Sequence, residues 1–403
     1  MTTRAISLKK LTTYGFLIIL LVVFYVNVSF LSKYSYDTQK QKQQQPYYVW
    51  QSNNGKQNEE ENWCDVVSKA RENLDPSLHI KVPCEKMKPA TSAVVCMLTA
   101  GVPDGKGTRT VFTGTDYVNG ALALGASLDD NLISQKGHVH KLLLIKEGFT
   151  LPDESIQKLE AVGWILGKSP DIQVDKKYTP SFARYKNVYP KISVIGLAEY
   201  KCVLFMDADT LTISNIDELM TCNILDRPEY RVAGGLDFYR GRWFHFNTGS
   251  VLWRPSSDEM TRVYQLTRDE SFMKRFESDQ IFINTVYPDR TNREINELIL
   301  KAENDIEALE NLRVHFGQVA HLPWAYNAQT HVEYQLPEFW DEHLGDAKIL
   351  HFTQKKGWQC PQTYEKPKSS NASKCDPKTD SECACREGYR WHIYLKKALE
   401  EYS

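Results

Sequence analysis

Two carboxylates one residue apart, at the end of an apolar run, set the chemical question for this chain. Val203-Leu204-Phe205-Met206 is too short a run for a helix and suits a strand buried on both faces. Asp207 and Asp209 stand where that strand ends. In extended geometry alternate residues share one side, so two carboxylates flanking Ala208 can converge on a single divalent cation. With oxygen ligands alone that cation is Mg²⁺, Mn²⁺ or Ca²⁺. A helix cap or a solvated turn would use the same Asp-x-Asp, so the surrounding elements have to decide. An EF-hand loop fails at once, because Leu211 and Thr212 stand where a ligand and a Gly are required.

Upstream, the chain reads as alternating strands and helices. Ala93 to Leu98 is a buried strand and Gly101 to Gly107 a loop. Thr115 or Asp116 caps a helix through Leu128, with Val118, Ala121, Leu122, Gly125 and Leu128 on one face. Leu142 to Ile145 is a strand, Pro152 to Val162 a helix closed by Gly163, and Trp164 to Leu166 a third strand. Asn187 to Tyr200 reads as a helix leading into the Val203 strand, with Val188, Ile192, Ile195 and Ala198 inward. This order implies right-handed crossovers and a mostly parallel sheet. The Asp pair then lies at the carboxyl edge, where open α/β sheets bind ligands. Further on, Arg231 to Gly235 and Gly249 to Trp253 read as strands, Met260 to Phe276 as a helix and Glu294 to Leu312 as an exposed amphipathic helix. Lys348 to Phe352 is a last short apolar run containing His351.

The 403 residues, 42% hydrophobic and 25% charged, suffice for one large or two medium domains. A formal net charge of −2 offers no electrostatic case for nucleic acid. Tyr14 to Leu31 is apolar apart from Asn27 and Ser29, about the minimum for a membrane span, and Arg4, Lys9 and Lys10 precede it. The reading is a cytosolic tail (1–13), an uncleaved signal anchor (14–31) and a lumenal remainder. A cleaved signal peptide is the alternative, but no Ala-x-Ala-like site follows the apolar core. Ser32 to Glu61 is polar and poor in aliphatics, so residues 32–88 read as a stem, with folded sequence from about Pro89.

Nine cysteines fit a secretory compartment. Cys64 with Cys84, and pairing among Cys360, Cys375, Cys383 and Cys385, are the expected disulfides. Cys96 and Cys202, inside buried strands, are expected to be free. A zinc site in the tail lacks any Cys-x2-Cys pair. Asn371-Ala372-Ser373 is a glycosylation sequon.

From about Val94 to Trp358 the sequence resembles the glycosyltransferases of family 8, which include glycogenin and plant glucuronyltransferases acting on xylan. The resemblance rests on ordered motifs: Thr115-Asp116-Tyr117 before Gly120 to Gly125; Lys191 before Phe205 to Thr210; Phe246-Asn247-Thr248-Gly249; Asp279-Gln280; Leu322-Pro323 with Tyr326-Asn327; and His351-Phe352 with Lys356-Gly357-Trp358. It implies an α/β fold of the GT-A nucleotide-sugar-binding type over residues 89–358, with 359–403 a Cys-containing extension. It also implies a retaining, metal-dependent transfer of a hexosyl-type unit from a UDP-sugar to a glycan, glycoprotein or polysaccharide. The implied metal ligands are Asp207, Asp209 and His351. An imidazole in the set favours Mn²⁺, with Mg²⁺ the second choice.

By the same resemblance Tyr117 contacts the uracil, Lys191 lies near the diphosphate or sugar, and Lys356 grips the departing phosphate. Asn247, Asp279 and Gln280 line the sugar pocket, joined by Asp237, whose spacing to Asn247 is unusual, and by Asn327. Asp279 is the nominal nucleophile of a double displacement, or else binds a sugar hydroxyl. Trp243, Phe244, Trp324 and Tyr326 are candidates for stacking on sugars. The chain departs from the family in its closing motif, where Gln354 replaces a Gly and Gly357 a Pro, and in an apparent insertion from Gly101 to Arg109. With the anchor, this activity implies a single-pass type II protein of the Golgi membrane, and a homo-oligomer is compatible with it. Two other readings fit Asp-Ala-Asp-Thr after a strand: a haloacid-dehalogenase-type phosphatase with Asp207 as nucleophile, and a catalytically silent sugar-binding protein.

Overall fold

Strand β1 (Ser92–Leu98) lies between β2 (Val139–Lys146) and β4 (Cys202–Met206) and is parallel to both. β2 is in turn parallel to β3 (Ile165–Ser169). The full sheet has seven strands in the order β3-β2-β1-β4-β7-β6-β8. The long strand β7 (Arg242–Trp253) runs antiparallel to both β4 and β6 (Val232–Tyr239), and β6 is parallel to β8 (Val319–Leu322). This is the mostly parallel α/β architecture expected. The computed structural model describes residues 62–99, 114–134, 137–172, 174, 189–239, 242–273, 278–288, 318–362 and 385–402. All of them fall in one compact unit, Asn54–Ser403.

The 3-2-1-4 order means that the chain switches direction across the sheet between β1 and β4. A crevice opens at the carboxyl ends of strands at such a point. Helix α1 (Trp63–Ala70) precedes the sheet, and α2 (Gly114–Asn131) and α3 (Asp153–Ala161) connect its first strands. Gly163, at φ +83°, ends the α3 turn as its sequence position predicts. Two glycines of α2 serve packing: a Cβ at Gly125 would come within 2.6 Å of the Trp164 indole nitrogen, and one at Gly120 within 2.3 Å of the Ala208 carbonyl oxygen. The helix therefore lies directly on the Asp-Ala-Asp turn.

A second sheet of three strands, β5 (Thr210–Thr212), β9 (Ala328–Gln329) and β10 (Ile349–His351), has β10 in the middle, antiparallel to β5 and parallel to β9. Helices α4 (Ser257–Leu266) and α5 (Asp279–Val286) start on Ser256 and Ser278, whose hydroxyls accept from backbone N–H groups of the first turn. The C-terminal helix α6 (Gly388–Glu401) packs on α2.

Four expectations need correction. The segment before Lys201 is not an α-helix but a 3₁₀ run, Tyr189–Gly196, buried except at Lys191. Pro190 lacks a backbone donor, and the β-branched Ile192, Val194 and Ile195 lower the α-helical propensity of the run. The Met260 to Phe276 helix ends at Leu266, with a separate turn at Glu270–Met273.

Folded sequence also begins well before Pro89. Trp63, Leu74, Leu78, Ile80 and Met87 are buried in the main core, and Lys81 pairs with Lys168 at the β3 edge. Arg71 forms a buried ion pair with Glu199, with Nε 2.8 Å from Oε2. Finally, Cys202 is not free: it is bonded to Cys222, which follows a one-turn helix packed on β4. Cys64–Cys84 and Cys360–Cys385 pair as expected, and Cys96 is the free, buried cysteine among the described residues. Among those residues no helix is long and apolar enough to cross a membrane. The Tyr14 to Leu31 and Glu294 to Leu312 segments, the Gly101 loop, Cys375, Cys383 and the Asn371 sequon lie outside them.

Candidate active site

β4 stops at Met206, and the Asp-Ala-Asp turn is pinned by its backbone. Asp207 N–H donates to Gly249 O at 2.8 Å, and Thr210 donates to Asp207 O through both its N–H (3.0 Å) and its hydroxyl (2.7 Å). Thr210 then opens β5, whose pairing with β10 sets Thr210 opposite His351. The next residue, Phe352, donates its N–H to Asp209 O at 2.9 Å. This register carries the imidazole to the turn, with His351 Nε2 3.5 Å from Asp209 Oδ1. One ligand atom from each of Asp207, Asp209 and His351 lies within 4.8 Å of the others. Two carboxylates and an imidazole nitrogen at that spacing fit a divalent cation. Gly249 makes room for the ring, since a Cβ there would sit 2.1 Å from His351 Cε1.

Two ammonium groups flank the turn. Lys191 Nζ bridges Asp207 Oδ1 at 3.1 Å and Asp279 Oδ2 at 2.9 Å, with the Phe205 ring beneath it. Lys356 Nζ is bonded to Asp209. Burial works against the Lys191 charge, but Asp207 and Asp279 outweigh it and hold its pKa above the ordinary lysine value. Burial also opposes ionisation of Asp209, yet the Lys356 ammonium bonded to it holds that carboxyl below the usual range. For Asp207 burial wins: the carboxyl is pushed up, Lys191 pulls it back, and the neighbouring Asp209 charge adds to the rise. Such a site gains from one more positive charge.

A cluster of polar side chains is contributed by β6, β7 and the first turn of α5. Gln280 Nε2 donates to Asp237 Oδ2 at 2.8 Å, and Asn247 Nδ2 to Asp237 Oδ1 at 3.3 Å. Thr248 donates its N–H to Gln280 Oε1 and its hydroxyl to Asp279 Oδ2, at 3.3 and 3.4 Å. The unusual spacing of Asp237 to Asn247 has a physical source: the β6–β7 register shifts on both sides of Leu236. Tyr117, on α2, meets the Trp358 ring edge-on at 5.2 Å. Burial, followed by the Asp209 and Asp207 charges, pushes its phenol well above the ordinary value, so it stays neutral.

The structure thus gathers Asp207, Asp209, His351, Lys191, Lys356, Tyr117, Asp237, Asn247, Asp279 and Gln280 around one sheet edge. Asn327 differs: it is fully buried, with its amide spent on Asn247 and His351, and it does not face a sugar. Trp324 packs against Phe339 and Trp340, and Tyr326 is bonded through its hydroxyl to Glu218 with the Lys348 ammonium over its ring. Trp243 and Phe244 lie on β7, their side chains outside the described residues.

Sequence reasoning missed Thr248 as a polar contact and missed the support beneath Lys356. A Cβ on Gly357 would sit 2.4 Å from Trp391 Cγ, His392 Nε2 is 2.8 Å from Cys360 O, and Cys360 is bonded to Cys385 just before α6. The Pro-to-Gly departure at 357 was the one signal of that contact.

No family model matches the chain. It is 24% identical over 252 residues to inositol phosphorylceramide glucuronosyltransferase 1 of Arabidopsis thaliana, a match covering 60% of this chain and 40% of that protein. With glycogenin-1 of Oryctolagus cuniculus it shares 24% over 283 residues, 66% of this chain and 69% of the relative. Among solved structures, the glycosyltransferase GlyE of Streptococcus pneumoniae TIGR4 covers 77% of this chain and 64% of its own, at 16% identity and a TM-score of 0.42. The match to the plant relative therefore spans less than half of that protein. The chain resembles the glycogenin-like transferases of family 8.

Proposed function

We propose that this chain is a retaining, Mn²⁺-dependent glycosyltransferase that moves a hexosyl unit from a UDP-sugar to a glycan, glycoprotein or polysaccharide. The observation that carries the reading is the convergence of Asp207, Asp209 and His351 within 4.8 Å, flanked by Lys191 and Lys356. A dication there supplies Lewis-acid neutralisation of the departing diphosphate, worth several kcal/mol. Lys356 adds a positive charge that its bond to Asp209 holds beside the leaving oxygen. Lys191, held between Asp207 and Asp279, keeps a fixed charge under the same edge. Tyr117, neutral at working pH, offers its face to the base. Asp237, Asn247 and Gln280 present a bonded rim of donors and acceptors to the sugar hydroxyls.

Asp279 is already engaged by Lys191 and the Thr248 hydroxyl. That pairing blunts it as a nucleophile and favours a hydroxyl-binding role, with departure and attack on one face of the sugar. The phosphatase reading needs a downstream acidic pair at the metal, whereas the third group meeting the Asp pair is His351. Retention of the whole ligand set favours turnover over silent sugar binding.

The test is release of UDP from UDP-glucose, UDP-galactose, UDP-N-acetylglucosamine and UDP-glucuronate, with and without Mn²⁺. One donor should be turned over only with metal, and Asp209→Asn should lower that rate by about 10² to 10³. Metal-independent hydrolysis of simple phosphate esters, with no UDP release, would overturn the assignment.

The topology we propose is type II, with Tyr14 to Leu31 as anchor and the catalytic domain in the Golgi lumen. Three disulfides among the described residues support an oxidising compartment. Protection from added protease in sealed Golgi vesicles, together with an endoglycosidase-sensitive Asn371, is the expected result. Cleavage in intact vesicles would reverse the orientation.

A further inference from the structure

A neutral imidazole carries its proton on either ring nitrogen, and only the Nδ1–H form of His351 leaves Nε2 with a lone pair beside Asp207 and Asp209. The choice is made by a line of hydrogen bonds whose directions are fixed at the far end. Asp237 is a carboxylate and accepts, so the Asn247 atom 3.3 Å from its Oδ1 is the amide nitrogen. The backbone N–H of Gly249 donates, so the Asn247 atom 2.9 Å from it is the amide oxygen. These partners leave Asn247 one orientation. The same oxygen meets the Asn327 amide at 3.1 Å, and the Asn327 atom there must therefore be its nitrogen. Asn327 then turns its own oxygen to His351 Nδ1, at 3.0 Å, and that oxygen requires a proton on Nδ1. Asn327 is 0% exposed, which shields its own two bonds, to Asn247 and to His351, from bulk solvent.

We propose that Asn327 is a positioning residue: oriented by Asn247 and Asp237, it locks His351 as the Nδ1–H tautomer and presents Nε2 to a divalent cation shared with Asp207 and Asp209. The metal half of this statement rests on the functional reading above, and the tautomer half does not. Flipping Asn327 would set its oxygen against the Asn247 oxygen, two buried acceptors with no proton between them. Gly249 fixes where the ring lies, and Asn327 fixes which nitrogen faces the carboxylates. The line also continues to Gln280, which donates to Asp237 at 2.8 Å. The sugar pocket and the aim of the metal ligand thus share one set of bonds.

The experiment uses the full chain in detergent, labelled with ¹⁵N-histidine and stripped of metal with a chelator. Ring-nitrogen shifts are read at alkaline pH, and His351 is assigned by difference from His351→Gln. A protonated Nδ1 and a bare Nε2 are expected, whereas an Nε2–H ring in the wild-type chain would overturn the proposal. Calorimetry then compares Mn²⁺ binding, without sugar nucleotide, between wild type and Asn327→Ala. The variant should bind roughly 10- to 100-fold more weakly, the loss typical of removing a ligand's outer partner. Its His351 signals should also lose the pure Nδ1–H pattern. Unchanged Mn²⁺ affinity in a folded Asn327→Ala would overturn the positioning role. If that variant does not fold, the wild-type spectrum decides. If the wild-type chain binds no Mn²⁺, the metal half and the functional reading fall together, while an Nδ1–H ring would still sustain the tautomer lock.

Discussion

Lys356 reaches Asp209 across 147 positions of sequence. The leaving oxygen gains charge mainly in the transition state, so an ammonium beside it acts on turnover more than on donor binding. Lys356→Ala should lower kcat by about 10² or more, roughly 3 kcal/mol, with KM changed by a few-fold at most. Lys355→Ala should stay near wild type. Steady-state kinetics on both singles and the double check this, and equal losses from the two singles would mean that the lysines share the role. Gly249 makes a sharper case. With a Cβ due 2.1 Å from His351 Cε1, Gly249→Ala must displace the imidazole. Mn²⁺ affinity should fall about as far as it does for His351→Gln at unchanged backbone fold; wild-type affinity in Gly249→Ala would show that the ring stays in place beside the added methyl.

Helix α6 lies beyond the stretch, Val94 to Trp358, that carries the family-like motifs. Trp391 is buried against Gly357, and Trp358 stands between Trp391 and Tyr117, with ring centroids 5.9 Å and 5.2 Å apart. The C-terminal helix therefore backs both the Lys356 turn and the base-facing tyrosine. Trp391→Ala should cost about 3–5 kcal/mol of stability, as expected for emptying a large buried site. Gly357→Pro restores the usual family residue, but it drives a Cβ into the Trp391 ring and should lower both stability and turnover. Denaturant midpoints and kcat on these two variants provide the check. A Gly357→Pro enzyme as active as wild type would show that α6 is a passive cover.

At the scale of the whole molecule, stability should carry a pH signature from Glu333. Burial pushes this carboxyl up to about 7, against the backbone N–H and charge of Arg386, and Glu387 and Asp341 add to the rise. The folded chain thus holds a proton that the unfolded chain releases near the ordinary carboxylate value of 4.5. The folded state binds more protons between those limits, so stability is greatest below the lower one and declines as pH rises towards 7. Glu333→Gln removes the ionisation and should flatten that decline, gaining roughly 1–3 kcal/mol at alkaline pH and little in acid. Thermal unfolding of both proteins across this range tests it, and parallel curves would assign the pH dependence elsewhere.

What the sequence determined by itself is what local pattern encodes. Four apolar residues followed by Asp207 and Asp209 specify a buried strand ending in a carboxylate pair, and the small-residue face from Ala121 to Leu128 specifies a helix pressed on a sheet. The ordered motifs as far as Trp358 were enough to group His351 with the Asp pair, and the fold brings one ligand atom of each within 4.8 Å of the others. What only the tertiary structure decided depends on partners distant in sequence. Residues 62–88 look like a stem because their apolar side chains are scattered singly among charges, yet Trp63 and Leu78 find a core contributed by other segments. Cys202 looks free because nothing in its strand marks Cys222, 20 residues on, as its neighbour. Asn327 reads as one more polar residue near a sugar site, and its role follows from hydrogen-bond directions set at Asp237 and Gly249. A sequence pattern records which face a residue presents to its own element, and the direction of a proton is set by the groups that folding brings to it.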